Sequence, residues 1–125
     1  MKDIRTDNAP APVGPYSQAI VSGKLLFCSG QVALDPKTGD MVGSTAAIQA
    51  EQVLKNLEAV LIAGGASMDR VVKTLIFMTD LKAFADVNAV YEKAFRGHKP
   101  ARSTVQVPAL PKGALVEIEC VAELG

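Results

Sequence analysis

The chain has 125 residues, close to the size of one domain and long enough to bury a core without disulfides or metals. Its 13 basic and 13 acidic side chains cancel, which argues against the electrostatic footprint of a nucleic-acid or anionic-membrane binder. Aromatics are 5% of residues and tryptophan is absent, so a base-stacking platform is not expected either.

The opening MKDIRTDN is charged and polar. It has no apolar run of signal-peptide length and lacks the arginine- and serine-rich, acid-poor character of a transit peptide. No segment approaches a membrane span, so the expected location is the cytosol. NAPAPVGPYS, Asn8 to Ser17, holds three prolines and a glycine and reads as an irregular surface loop between two short strands. Ala19 to Ser22, a Gly23-Lys24 turn and the apolar run from Leu25 to Ser29 form a hairpin signal. Gly30 ends it, and DPKTGD, Asp35 to Asp40, is a turn-rich loop.

The clearest helix follows, capped by Ser44 or Thr45 and stopped by Gly64-Gly65. Ala46, Ala50, Val53, Leu57, Val60 and Leu61 recur at helical spacing as one apolar stripe. Glu51 and Lys55 are spaced for an i,i+4 ion pair on the opposite side. Val71 to Met78 is β-branched and apolar on both faces, as a central strand would be. Asp80 caps the approach to a second helix from about Phe84 to Phe95, with Phe84, Val87, Val90 or Tyr91, Ala94 and Phe95 as its stripe. Gly97 and Pro100 end that helix. ARSTVQV then alternates, with Arg102, Thr104 and Gln106 on one face. PALPKG turns the chain, and Ala114 to Glu123 is the last strand.

The expected order is β-β-β-α-β-α-β-β in a single domain, residues 1–125. Two helices cannot cover both faces of a five- or six-stranded sheet, so an α+β fold with both helices on one face is expected. The open face would then be covered by self-association. Cys28 and Cys120 lie inside apolar runs and read as small buried hydrophobes. Two isolated cysteines and one histidine, His98, show no ligand spacing, so no metal site is expected.

One constellation stands out. On the last strand Val116, Ile118, Cys120 and Ala122 form a core face, and Leu115, Glu117, Glu119 and Val121 point the other way. The short turn predicts that the Arg102 strand and this strand are antiparallel neighbours, with Arg102 and a glutamate on one sheet face. That arrangement reads either as a solvated face with a surface ion pair or as a carboxylate clamp beside a water-holding acid. Spacing alone does not choose.

Four stretches together resemble the reactive-intermediate deaminase (Rid, or YjgF-type) family. They are NAPAPVGPYSQA (Asn8–Ala19), CSGQVALDPKTGD (Cys28–Asp40), DLKAFADVNAVYEKAF (Asp80–Phe95) and PARSTVQVPALPKGALVEIE (Pro100–Glu119). They stand in family order, cover nearly the whole chain and are most similar to the 2-iminobutanoate/2-iminopropanoate deaminase subfamily. The resemblance implies a chorismate-mutase-like (bacillary type) mixed sheet. It also implies a homotrimer with a barrel-like core and three sites at subunit interfaces. The implied activity is cofactor-independent hydrolysis of 2-imino acids and their enamine tautomers to 2-keto acids and ammonia, which protects pyridoxal-phosphate enzymes from damage.

By that resemblance Arg102 binds the substrate carboxylate and Glu117 orients the attacking water. Tyr16 lies over the site, Ser29 and Gly30 line it, and Asn88 is near it. Thr104 stands where many members carry a cysteine, so a thiol is not expected to be essential. The connection RGHKP is shorter than in common members, which bears on substrate size. A non-catalytic keto-acid binding or sensing module, a ribonuclease or translation inhibitor and a holdase-like chaperone are the rival readings. Small 2-imino or 2-keto carboxylates are the expected partners; nucleic acid and membrane are not.

Overall fold

The computed structural model describes residues 1–125. Six strands and two helices follow in the expected order: β1 (Lys2–Ile4), β2 (Ala19–Ser22), β3 (Leu25–Gln31), α1 (Ala46–Ala63), β4 (Val71–Met78), α2 (Phe84–Phe95), β5 (Ala101–Gln106) and β6 (Val116–Glu123). They build one mixed sheet in the order β1-β2-β3-β6-β4-β5. Only the β4–β5 pair is parallel.

This order corrects one expectation. β5 and β6 are not neighbours, because β4 lies between them. The reason is the connection through α2. A strand, a crossover helix and a second strand make a βαβ unit, whose strands must run parallel. β5 therefore takes the free side of β4. Both its faces are largely exposed, as suits an edge strand. The chain then passes the end of β4, where Val107 N–H donates to the Met78 carbonyl and Thr79 N–H to the Leu115 carbonyl. β6 enters on the other side.

Both helices pack on one face of the sheet. The α1 stripe predicted from spacing is buried, and Leu54, Gln49 and Asn56 are buried with it. Thr45 is the cap, its hydroxyl accepting from Ile48 N–H at 3.2 Å. On β6, Val116, Ile118, Cys120 and Ala122 enter this core beside Leu26, Ile76 and Met78. Two buried amides of α1 are hydrogen-bonded. Asn56 donates to the Val32 and Leu34 carbonyls, and Gln49 bridges Gly43 to Leu115. Such partners remove the cost of burying a polar group. The predicted Glu51–Lys55 pair does not form. The only ion pair joins Arg96 to Glu58 at 3.9 Å, and exposed pairs of this kind gain too little to hold two long side chains in place.

The opposite face of the sheet carries no helix. Phe27 and Val105 are exposed there, and Leu75, Phe77 and Val121 are half-buried. The two cysteines are free, buried and paired in register between β3 and β6. No helix is long and apolar enough to cross a membrane.

Candidate active site

The residues singled out in the sequence fall into two clusters, on opposite faces of the sheet. In the β4–β5 register Arg102 stands beside Thr74, and in the β4–β6 register Thr74 stands beside Cys120. All three side chains therefore share the helix-covered face. Glu117 is three positions from Cys120 and pairs with Phe77, which puts it on the open face. The expectation that Arg102 and a glutamate share a face is thus corrected together with the strand order. One chain does not bring them together.

The first cluster is built by α2 against β5. Arg102 Nη1 donates to Asn88 Oδ1 at 2.7 Å. The guanidinium carbon lies 5.0 Å from the Tyr91 ring centroid and 5.4 Å from that of Phe84. Phe84, Asn88 and Tyr91 are spaced i, i+4, i+7, so one helix face supplies all three contacts. Both ring distances are within cation–π range. No carboxylate is within ion-pair distance of Arg102, so its charge is held by neutral groups only. The adjoining cleft is lined by Asn88, Tyr91, Glu92, His98, Lys99, Pro100 and Arg102. Thr104 projects two residues further along the same face, where it shares a shallow depression with Leu81 and Phe84. His98 is more than a loop residue: its Nε2 lies 2.7 Å from the Val71 carbonyl, tying the short connection to the start of β4.

The second cluster lies on the open face, where the Asn8–Ser17 loop meets β3 and β6. Ser29 Oγ donates to the Ser17 carbonyl at 2.6 Å, and Ser29 N–H donates to the Gln18 carbonyl at 2.9 Å. Gln18 is the anchor of the loop. Its buried amide accepts from Thr6 N–H and donates to the carbonyls of Thr6 and Pro10. Between Cys28 and Gln31 the β3–β6 register slips, and Gly30 sits in this irregularity. The Glu117 carboxylate fills the space beside it: a β-carbon on Gly30 would lie 2.6 Å from Glu117 Oε2. Tyr16 and Ser29 line the same cleft with Gly30, Lys112, Glu117 and Glu119. Tyr16 is exposed, and its hydroxyl accepts from Val13 N–H at 3.3 Å.

The electrostatics of the second cluster are those of a held-back acid. Burial raises the Glu117 carboxyl above its usual range, and the neighbouring charge of Glu119 adds to the rise. Lys112 also lines this cleft, a place that no sequence pattern marks. It reaches the cleft because it adopts a left-handed conformation, with φ 57°, in the Pro111–Gly113 turn. Nothing in PALPKG marks which residue of the turn would do so. Helical spacing marks Tyr91 only as a member of the apolar stripe; its i,i+3 relation to Asn88 is the signal that it faces Arg102.

Residues 6–124 match the family model described as Endoribonuclease L-PSP. A RutC family protein, y4sK, of Sinorhizobium fredii is 52% identical over 124 residues, covering 99% of this chain and 98% of that one. The mouse 2-iminobutanoate/2-iminopropanoate deaminase is 45% identical over 124 residues, covering 99% of this chain and 92% of the mouse protein. Among solved structures, Escherichia coli TdcF with bound serine superposes with a TM-score of 0.95 at 39% identity, covering 100% of both chains. The likeness spans the loop, the bulge, the second helix and both strands that carry the two clusters, and the chain belongs to the Rid (YjgF-type, L-PSP) family.

Proposed function

We propose that the protein is a hydrolase of reactive 2-imino acids, releasing 2-keto acids and ammonia. In this reading 2-iminopropanoate and 2-iminobutanoate are the substrates, and removing them protects pyridoxal-phosphate enzymes. The observation that carries it is the division of labour between the clusters: a cation with no ion partner on one face, a half-buried acid on the other. A complete site then needs two copies, with the Arg102 cluster of one set against the Glu117 cluster of the next. Closed self-association would give every copy such a neighbour, and a homotrimer does so while covering the apolar open faces. The mouse relative is named for this reaction, and the bacterial relative holds serine, a small molecule with the same α-carboxylate.

The chemistry follows from the groups. Arg102 takes the substrate carboxylate in a planar fork that lysine does not reproduce. Ser29, Gly30, Asn88 and Tyr16 border the reacting centre, and Thr104 lies at its margin. The protonated imine carbon is already electrophilic. Glu117, ionised, accepts a proton from water as the oxygen attacks that carbon, giving a tetrahedral carbinolamine. It returns that proton to nitrogen, then takes the hydroxyl proton as the carbonyl forms and the C–N bond breaks, releasing ammonia. A carboxyl raised above its normal range is a stronger base and a readier proton store. The residues supply orientation and electrostatics, and the sequence of steps needs no redox change.

Binding without chemistry is the second reading, favoured by the serine held by the relative. Arg102 alone would suffice for it, and Glu117 would have no task. Ribonuclease action has less support: the single histidine is engaged with a backbone carbonyl and the chain is neutral.

The test generates the imine with an amino-acid oxidase and traps it with semicarbazide. The wild-type protein is expected to suppress the coloured adduct, and Arg102→Ala and Glu117→Ala to lose that effect. Unchanged adduct with the wild type, across several imines, would overturn the proposal. Suppression retained by Glu117→Ala would remove the role given to that acid.

A further inference from the structure

Behind Arg102 lies a tier of side chains that the deamination reading does not use. Thr74 is fully buried on the interior strand β4, in the run VVKTLIFM, whose other polar residue, Lys73, is exposed. Its hydroxyl is 2.8 Å from the Tyr91 hydroxyl, which is buried as well. Each is the other's only side-chain partner, so neither would be satisfied without the other. The Tyr91 ring is then bounded on three sides. Its hydroxyl is pinned by Thr74, Phe95 packs at a 4.6 Å centroid distance, and the Arg102 guanidinium lies over the ring.

We propose that Thr74 and Tyr91 are positioning residues that fix the Arg102 guanidinium for the substrate carboxylate. The proposal rests on the reading of Arg102 as a carboxylate anchor. An exposed arginine has four rotatable side-chain bonds and costs entropy to order. Ordering it with an aspartate or glutamate would spend its charge on the protein. Here an amide oxygen and two ring faces hold it, so the fork is oriented while its charge stays free for an anion. Ring tilt therefore matters. The tilt of Tyr91 is set by a hydroxyl one strand away from Arg102, directly beside it in register.

The experiment measures imine kinetics and the calorimetric Kd for 2-oxobutanoate, in the wild type and in Thr74→Val, Thr74→Ser, Tyr91→Phe and Tyr91→Leu. Melting curves establish folding. Loss of the hydroxyl contact in Thr74→Val or Tyr91→Phe is expected to raise KM and Kd about threefold to tenfold while kcat changes little, the signature of lost uniform binding. Thr74→Ser restores both values. Tyr91→Leu, which also removes the ring face, falls further; should it not fold, Tyr91→Phe carries the test. In an Arg102→Lys background the same substitutions lose their effect. Unchanged KM and Kd in folded Thr74→Val and Tyr91→Phe would sink the proposal, as would an effect undiminished beside Arg102→Lys. If the wild type neither binds 2-oxobutanoate nor clears the imine, the deamination reading itself fails, an outcome distinct from either.

Discussion

Arg102 and Glu117 stand on opposite faces of one sheet, on strands separated by β4. If both act in one reaction, each must meet its counterpart from another copy. Two inactive variants should then rescue one another. When Arg102→Ala and Glu117→Ala chains are unfolded together and refolded, some interfaces pair an intact arginine with an intact glutamate. Random assembly gives about one quarter of wild-type activity, since each site draws one contributor from each of two copies. Mixing without refolding should restore nothing until subunits exchange. A refolded mixture as inactive as its parents would show that the two residues do not meet across an interface.

Gly30 is the second place where geometry makes a sharp demand. The Glu117 carboxylate occupies the position that a side chain at residue 30 would need. In Gly30→Ala the carboxylate must rotate away, because the backbone of the bulge is fixed by the Ser29 contacts to the Asn8–Ser17 loop and its neighbour Gln18. Displacing a catalytic group by an ångström costs on the order of a hundredfold in rate. The expected result is a kcat loss of about that size, with a small change in melting temperature and in 2-oxobutanoate affinity. Equal losses in kcat and stability would instead point to a disrupted strand.

The raised carboxyl of Glu117 fixes two signs. Its folded pKa lies above the unfolded value, so the folded state binds the proton more tightly. The stability this supplies is complete below the ordinary carboxylate range and is lost as pH rises through the raised value. Glu117→Gln should therefore melt higher than the wild type at pH 7, and the difference should vanish in acid. Activity runs the other way, because the ionised form is the base. The acid limb of the rate profile should lie above the usual range for glutamate. Glu119→Gln, which removes the like charge, should move that limb down. A limb that ignores Glu119 would show that burial alone sets it.

Much of this was legible in the chain. Helical spacing marked α2 from Phe84 to Phe95, and strict alternation assigned both faces of β6, because each rests on local periodicity. Strand order was not legible from the turn between Gln106 and Val116. A nine-residue connection has the reach to join neighbours or to step over one strand, and the parallel β4–β5 pairing is decided by α2 rather than by the turn. The buried amides were equally silent. Gln18, Gln49 and Asn56 look like surface residues until the loops that need their hydrogen bonds are in place. The clustering of Tyr16, Ser29, Gly30 and Glu117 came from the family pattern, since these residues approach only after the β3 bulge forms.

Cys28 and Cys120 carry the last prediction. They face one another across β3 and β6 on the helix-covered side, away from the Glu117 cleft. Contact with the Cys28 thiol and burial push the Cys120 thiol well above its ordinary value, with the charge of Glu119 adding to the effect. A thiol so placed is neither a nucleophile nor a ready target. The native protein should leave an aromatic disulfide reagent unreacted over hours, while the unfolded chain releases both equivalents at once. Double replacement by alanine should leave imine clearance near wild type. It should lower the melting temperature, because two small side chains leave the core. Rapid labelling of the folded protein, or loss of clearance in the folded double variant, would return a thiol to the chemistry and reopen the assignment of Glu117 as its centre.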